Sequence, residues 1–306
     1  MPDSIPVVLF AYHRPDLLAQ TLAALRANEV PLLYAFSDGP RTPDDAPPVR
    51  AVRDLLRAID WCEVRLTERS TNLGLGRSIR SGVTEVLQQH PAVLVFEDDL
   101  ICVPGVYAYL CAALNHYRDE PRVMSVTGWT HPDAVPRDVG QQPYFDGRAD
   151  CWVWGTWARA WRGMEPESPH SALWLMRQCQ AQGLDAYAYG ADLPELAHQE
   201  VRRNTWAVRW VYWHMAQRGL CLRPPHSLVE HIGFDQRATN AKTAVGMAGG
   251  PLQPCPPLPR VWPAPVEHPE CAGLWRKLYG QRPGWWRRAL RELRRAGARL
   301  WRAGGT

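Results

Sequence analysis

Short apolar runs alternate with helical patterns through the first part of the chain, and this alternation constrains the fold more than any other feature. The predicted strands are Val7–Ala11, Leu32–Phe36, Val64–Thr67 and Val93–Phe96, and the predicted helices between them are Pro15–Arg26, Val49–Ile59 and Gly76–Gln89. Continuous apolar strands separated by helices indicate a parallel sheet that is covered on both faces. In such sheets the ligand lies at the carboxyl ends of the strands. We therefore predict an α/β fold with its functional site at that edge.

The length and composition fit one large globular body. The 306 residues are 46% apolar and 22% charged, which is enough to bury a large core. Eight cysteines form no CxxC pair, so we predict reduced thiols, no disulfide and no zinc site in a cytoplasmic protein. No apolar run approaches the roughly 18 residues that a membrane span needs. The 15 Trp against 5 Phe favour a cleft for carbohydrate, because indoles pack on the apolar faces of sugar rings, with packing in the core or an interface as the alternative for most of them.

An acidic triplet, Glu97, Asp98 and Asp99, directly follows the fourth predicted strand. Hard divalent cations prefer carboxylate oxygens and bridge to phosphate oxygens, so acids at the tip of a parallel strand indicate a site for a metal and a nucleotide diphosphate. Two acids that cap the next helix are the alternative for an isolated triplet.

Polar residues also end the second strand and open the third helix. Asp38 follows the second strand, where a carboxylate can accept hydrogen bonds from a nucleotide ribose or base. Asn72, Gly74 and Arg77 precede or begin the third helix, and glycine there allows a ligand to approach the backbone closely while Arg77 brings charge. A simple turn is the alternative for the glycines.

Together these segments resemble the GT-A glycosyltransferases. PVVLFAYHRPDLLAQTL, FSDGP, NLGLGRSIRSGV and VLVFEDDL, within residues 5–118, follow the order found in bacterial family 2 type enzymes and in the related N-acetylglucosaminyltransferase I branch. The resemblance implies a Rossmann-like GT-A sheet, a nucleotide-sugar donor, expected to be a UDP-sugar, and a Mn²⁺ or Mg²⁺ ion. It implies that Asp38 contacts the nucleotide, that Asp99 binds the metal and that Asp98 supports the donor sugar or a metal-bound water. Arg14 matches donor-binding loop residues, with a surface arginine on a turn as the alternative.

The tryptophan-rich second half resembles the acceptor side of the same enzymes. Trp154 and Trp157 lie in a segment similar to WGWxTWxxxW, and Trp206 lies in one similar to DTWDxxW. The resemblance implies that these three side chains contact the acceptor, a glycan or a lipid-linked glycan.

Both acidic positions of the second motif are changed, to Asn204 and Ala207. Related inverting enzymes carry their general base where Ala207 stands, and an inverting transfer needs a carboxylate to take the acceptor proton. The available substitutes are Glu200, Asp192 and Asp150. We select Glu200, because it lies on the same segment, with a solvated helix acid as the alternative, and Asp150 as the second candidate base. A retaining mechanism, which needs no such base, stays open.

A third motif lies near residue 230. Residues 227–233, SLVEHIG, resemble a C-terminal element in which a histidine completes the metal shell, and His231 is the matching residue. Neutral imidazole is a reasonable ligand beside carboxylate. Asn240 stands where some relatives carry a further histidine.

The predicted organisation is a nucleotide-sugar-binding half (1–118), a loop-rich acceptor-binding and catalytic half of the same domain (119–250), a proline-rich strap (251–281) and a basic amphipathic helix (282–306).

Two other functions compete with a glycosyltransferase. A sugar nucleotidyltransferase shares the topology, but AYHRPD is not a glycine-rich phosphate loop. A carbohydrate-binding protein without catalysis would explain Asn204 and Ala207.

Residues 282–306 hold eight Arg and one Glu, a net charge of +7, against +4 for the whole chain. The basic character is therefore local, and we expect no nucleic-acid partner. On a helix over 282–303, Trp286, Leu290 and Leu293 share one face and most of the arginines share the other. This pattern predicts peripheral binding to an anionic membrane surface on its cytoplasmic side. Packing on the protein body, or binding in a partner's groove, are the alternatives.

Removing residues 282–306 is expected to release the protein from anionic vesicles, because each Arg near an acidic surface contributes about 1 kcal/mol. Vesicle flotation at increasing salt measures this. Equal flotation of the full-length and truncated proteins, or binding that does not fall with salt, would show that the segment packs on the protein instead.

Overall fold

A computed structural model describes residues 4–203, 206–235 and 252–280. Its strands are β1 Val7–Ala11, β2 Leu32–Ser37, β3 Glu63–Glu68, β4 Ala92–Glu97, β5 Leu100–Cys102, β6 Val123–Thr127, β7 Tyr144–Asp146, β8 Trp154–Trp157, β9 Leu220–Arg223 and β10 Val229–His231. Its α-helices are α1 Pro15–Ala27, α2 Ala46–Arg57, α3 Leu75–Leu87, α4 Val106–His116, α5 Ala158–Trp161, α6 Ala172–Ala181, α7 Asp192–Arg203, α8 Ala207–Gln217 and α9 Cys271–Tyr279. Short 3₁₀ turns span Pro43–Asp45 and Pro132–Ala134. None of the described helices is long and apolar enough to cross a membrane.

The central sheet has the order β3-β2-β1-β4-β8-β6-β9-β7. Strands β3, β2, β1 and β4 pair in parallel, β8 runs antiparallel between β4 and β6, and β7 runs antiparallel to β9 at the edge. The predicted α/β class, with a mostly parallel sheet covered by helices, is confirmed. The second helix begins at Ala46, earlier than predicted, because Pro47 and Pro48 fit the first helical turn, where no N–H partner is needed.

The core lies on both faces of the sheet, as the uninterrupted apolar strands require. Along β1, Val7 and Leu9 pack in the cluster that contains Leu18 of α1, whereas Val8 and Phe10 pack in the cluster that contains α3 and α6 to α8. Successive side chains of a strand point to opposite faces, so each apolar residue of β1 is buried on one of them.

Two of the expected acceptor-binding tryptophans belong to this core, and that prediction is wrong for them. Trp154 is 1% exposed and packs against Trp161 and Trp210, with ring centroids 5.6 and 5.4 Å away. Trp157 is 3% exposed and donates its indole N–H to the Leu114 carbonyl at 3.1 Å. Both lie on β8, a central strand whose two faces are covered, so neither indole can contact an acceptor.

A buried ion pair connects the last described helix to the sheet. Arg223 Nε on β9 lies 2.7 Å from Asp146 Oδ2 on β7, and Trp275 of α9 donates to the same oxygen at 2.7 Å. Both charged side chains are fully buried. Burial of a charge is tolerated only when the group is paired and hydrogen-bonded, and these contacts meet that requirement.

The segment predicted as a proline-rich strap, residues 251–281, follows an irregular path over residues 252–265 but also contains α9, Cys271–Tyr279. Trp262 stacks on His116 of α4 at 5.5 Å and packs near Tyr109 and Tyr117. The Pro263 carbonyl accepts a hydrogen bond from the Tyr117 hydroxyl at 2.7 Å. The strap thus lies on the outer side of α4.

Two glycine substitutions test the packing of this fold. A Cβ at Gly155 in β8 would lie 2.7 Å from Leu94 Cδ2 and 2.8 Å from Leu114 Cδ1, whereas one at Gly273, exposed on α9, would meet nothing within 4 Å. Gly155→Ala is expected to lower the free energy of unfolding by about 1–3 kcal/mol. Gly273→Ala is expected to raise it by up to about 1 kcal/mol, because alanine favours the helix. Urea unfolding measures both, and equal effects would contradict the described packing of β8.

Candidate functional site

A cavity of about 310 Å³ opens at the carboxyl edge of the parallel strands. The register of β1 with β2 and β4 brings the ends of these strands together, and the residues that follow them line the cavity. The polar and aromatic side chains of the lining are Phe10, Tyr12, His13, Arg14, Asp38, Arg41, Asn72, Ser78, Glu97, Asp98, Asp99, Trp152, Trp206, His231 and Phe234. Residues as far apart in the chain as Tyr12 and Phe234 therefore share one site.

The acidic pair at the end of β4 is the most strongly charged part of the cavity. Asp98 Oδ2 accepts from the Tyr12 backbone N–H at 2.9 Å, which orients this carboxylate toward the end of β1. Asp99 Oδ2 is paired with Arg14 Nη2, and the same nitrogen lies 3.9 Å from Asp98 Oδ1. Both acids are less than 10% exposed. One guanidinium is thus shared by two buried carboxylates.

The acids disfavour one another's ionisation. Burial and the neighbouring Asp99 raise the pKa of Asp98 to about 7, against the partial compensation of Arg14. Burial, Asp99 and Asp98 raise the pKa of Glu97 well above its usual range. A cation among these oxygens would stabilise the ionised forms, so the electrostatics of the edge favour binding of positive charge.

The second, two-stranded sheet brings His231 to the same place. Strand β10 pairs antiparallel with β5, which places His231 opposite Leu100, and the Ile232 N–H donates to the Asp99 carbonyl at 2.9 Å. His231 Nε2 lies 3.6 Å from Asp99 Oδ2. Burial lowers the pKa of His231, against the opposing effect of Asp99, and so favours the neutral ring.

The tautomer of that ring follows from its other nitrogen. His231 Nδ1 accepts from the Gly233 backbone N–H at 3.1 Å, and an amide N–H can only donate. The proton of the neutral ring is therefore on Nε2, the nitrogen that faces Asp99. Coordination through Nε2 requires the turn at residues 231–233 to change.

The donor set fits a divalent cation that is completed by a substrate. Asp99 Oδ1 is buried and has no hydrogen-bond partner among the described residues, although a buried carboxylate oxygen normally has one. Within the described ranges, no three His, Cys, Asp or Glu side chains converge as a complete metal site. Mg²⁺ and similar ions are commonly held by one or two carboxylates together with substrate phosphates and water.

Asp38 has a structural contact as well as a place in the cavity wall. Its carboxylate accepts from the backbone N–H groups of Leu73, at 2.9 Å, and Gly74, at 3.0 Å, while the Asn72 side chain donates to the Gly39 carbonyl at 2.9 Å. These bonds hold the loop before α3 against the end of β2. A Cβ at Gly39 would lie 2.6 Å from the Thr71 backbone, which explains why glycine follows Asp38.

Besides Trp154 and Trp157, three predicted site residues do not line the cavity. Arg77 is exposed on α3. Glu200 pairs with Arg209 at 2.6 Å and accepts from the Ala172 N–H at 2.8 Å, so its carboxylate joins α7, α8 and the start of α6. Asp150 accepts from the N–H groups of Cys151 and Trp152, at 2.8 and 2.9 Å, and lies 3.5 Å from the buried Arg223. The structure therefore corrects the choice of Glu200 and Asp150 as bases, because both carboxylates serve other contacts.

An aromatic wall, formed by Trp152, His231 and Phe234, stands beside the acidic pair. The Trp152 ring lies 4.9 Å from that of His231 and 5.9 Å from that of Phe234, and His231 stacks on Phe234 at 4.2 Å. Trp206 also reaches the cavity, although it is only 3% exposed.

Sequence reasoning did not select Trp152 or Phe234. Val153 has a φ of +43°, which breaks the alternation of side chains just before β8. Period-two counting within the segment therefore could not show that Trp152 faces the cavity while Trp154 is buried. Asn204, Asn240 and the helix expected over 282–303 lie outside the described residues.

No family model and no curated protein sequence matches the chain. Solved structures with a similar chain path include a mannosyltransferase from Pyrobaculum calidifontis in complex with GDP-Man and Mn²⁺, at 13% identity and a TM-score of 0.38, covering 70% of this chain and 73% of that one. Mouse xyloside xylosyltransferase 1 aligns at 12% identity and a TM-score of 0.33, over 70% and 82%. A 4-diphosphocytidyl-2C-methyl-D-erythritol synthase from Anaerococcus prevotii aligns at 16% identity and a TM-score of 0.29, over 44% and 59%. These TM-scores are too low to carry an argument about function, which rests on the site itself.

Proposed function

We propose that this chain is a metal-dependent glycosyltransferase that moves a sugar from a nucleotide-diphosphate donor to a glycan acceptor. The observation that carries the proposal is the pair Asp98 and Asp99 at the carboxyl edge of the parallel sheet, with Asp99 Oδ1 buried and unpartnered among the described residues. The same cavity contains carboxylates for a cation and aromatic rings suited to a sugar. This combination fits a nucleotide sugar better than it fits a nucleotide alone.

The donor would extend along the strand ends. The loop that Asp38 holds, including Asn72 and Gly74, would bind the nucleoside. Asp99 would hold a Mn²⁺ or Mg²⁺ ion at the diphosphate, and His231 would join it as a ligand after the 231–233 turn rearranges. A bound ion supplies charge neutralisation for the departing diphosphate. Arg14 would contribute a second cation beside the phosphates, since a guanidinium matches phosphate oxygens with paired donors.

The acceptor would bind against the aromatic wall and Trp206. Indole and phenyl faces pack on the apolar faces of sugars, and they also exclude water, which would otherwise compete as the acceptor. The basic pattern of residues 282–303 supports a lipid-linked glycan as the acceptor, because it would hold the cavity near a membrane surface.

A second candidate, a carbohydrate-binding protein without transfer activity, is favoured by one observation. Ala207 lines the cavity, so a methyl group stands where related inverting enzymes carry their base. A retaining transfer, which needs no carboxylate at that position, accounts for the same alanine. Nucleotide release from the donor separates the two functions.

Asp99→Asn is expected to weaken the Mn²⁺-dependent binding of UDP or GDP by about 100-fold, because it removes a carboxylate ligand. Isothermal calorimetry with each nucleotide, with Mn²⁺ and with EDTA, measures this. Asp54→Asn is the matched control, since it makes the same charge change in the exposed pair with Arg57. Unchanged nucleotide affinity in Asp99→Asn would contradict the metal assignment.

His231→Ala is expected to lower the affinity for Mn²⁺ in the presence of nucleotide by about tenfold. Electron paramagnetic resonance of free Mn²⁺ gives the affinity directly. His226→Ala is the control, because His226 lies on the same segment but contacts the Pro254 carbonyl. Equal affinities of the two variants would remove His231 from the metal shell.

A further inference from the structure

Arg14 supplies the only guanidinium that the structure describes in contact with Asp98 and Asp99. Its Nη2 pairs with Asp99 and its Nη1 donates to the Gly233 carbonyl at 3.0 Å. The Arg14 side chain is 11% exposed, so it is enclosed with the acids and is not a solvated surface cation. The charge that a metal would bring is therefore already partly provided by the chain.

Arg14 also contacts the turn that follows His231. The Gly233 carbonyl accepts from Arg14 while its N–H donates to His231 Nδ1. In this arrangement the lone pair of His231 Nδ1 accepts the Gly233 N–H, and Nε2–H faces Asp99. A Cβ at Gly233 would collide with the Asp99 carboxylate, so the turn packs directly on the acidic pair. Arg14 thus pairs with one expected ligand, Asp99, and contacts the turn whose N–H occupies Nδ1 of the other, His231.

We propose that Arg14 acts as a built-in counter-cation that weakens the binding of free metal to Asp99. Its guanidinium leaves Asp99 and the 231–233 turn only when the diphosphate of the donor binds to it instead. This inference rests on the proposed function and concerns the order in which metal and donor bind. It predicts that metal and nucleotide bind cooperatively through Arg14.

The charges support such an exchange. A guanidinium binds phosphate oxygens with paired, charge-assisted hydrogen bonds, so a diphosphate competes well for Arg14. Once Arg14 contacts the diphosphate, Asp99 is freed for the cation and the Gly233 carbonyl loses its donor. The phosphates then complete a metal shell that the described side chains alone do not form.

The first experiment measures Mn²⁺ alone, without nucleotide, by electron paramagnetic resonance on the full chain. Arg14→Gln, which is neutral but retains a donor for Gly233, is expected to bind Mn²⁺ about tenfold more tightly than the wild type, because it removes the competing charge. Arg14→Lys retains the charge and is expected to remain within about twofold of the wild type.

Arg41→Gln is the matched control, because Arg41 lines the same cavity and the described ion pairs of Asp99 are with Arg14 and His231. Tighter Mn²⁺ binding in Arg14→Gln but not in Arg41→Gln supports the inference. Equal tightening in both variants would show only a general charge effect, and unchanged or weaker binding in Arg14→Gln would overturn the inference. Thermal unfolding checks that each variant is folded. If Arg14→Gln has lost its fold, Arg14→Ala replaces it.

The second experiment repeats the titration with saturating UDP or GDP. In the wild type the nucleotide is expected to raise Mn²⁺ affinity, and in Arg14→Gln this coupling factor is expected to fall by about tenfold. An undiminished factor would overturn the inference. If neither nucleotide alters Mn²⁺ affinity in the wild type, the proposed function fails, while the measurement with Mn²⁺ alone still decides the role of Arg14.

Discussion

The parallel pairing of β1 with β2 and β4 is the constraint on which the site depends. Parallel strands end at the same edge, so the pairing gathers the residues that follow them into one cavity. Asp38, Asp98 and Asp99 come together there, although the first is 60 positions from the second. The side chains of β1 pack into core clusters on both faces of the sheet, and this close packing maintains the register.

The same convergence places buried negative charges close together, which is unfavourable unless positive charge lies beside them. Carboxylates enclosed at one edge raise one another's pKa, and Arg14 compensates only in part. The second sheet adds His231 without adding negative charge. Such a site is suited to a ligand that brings both a cation and further oxygens, as a metal-bound diphosphate does. The buried oxygen Oδ1 of Asp99, which has no hydrogen-bond partner among the described residues, is the atom that such a cation would satisfy.

Sequence reasoning predicted the sheet and the acids at its edge, because strand periodicity and the residues after each strand are local features. It failed for Trp154 and Trp157, since a tryptophan-rich segment does not show which indoles face the core. The left-handed conformation of Val153 reverses the expected alternation there. Glu200 and Asp150 illustrate a further limit, because their partners, Arg209 and Arg223, come from distant or differently oriented elements that only the folded chain brings together.

Release of nucleoside diphosphate from a panel of UDP- and GDP-sugars, with Mn²⁺ and with EDTA, tests the account most directly. A glycosyltransferase hydrolyses its donor slowly even without acceptor, so we expect at least one sugar nucleotide to yield the free diphosphate only when metal is present. Formation of a nucleotide and inorganic diphosphate from a nucleoside triphosphate and a sugar phosphate would instead identify a nucleotidyltransferase. Metal-dependent binding of a donor without release, with simple glycans also supplied as acceptors, would contradict the proposed transfer.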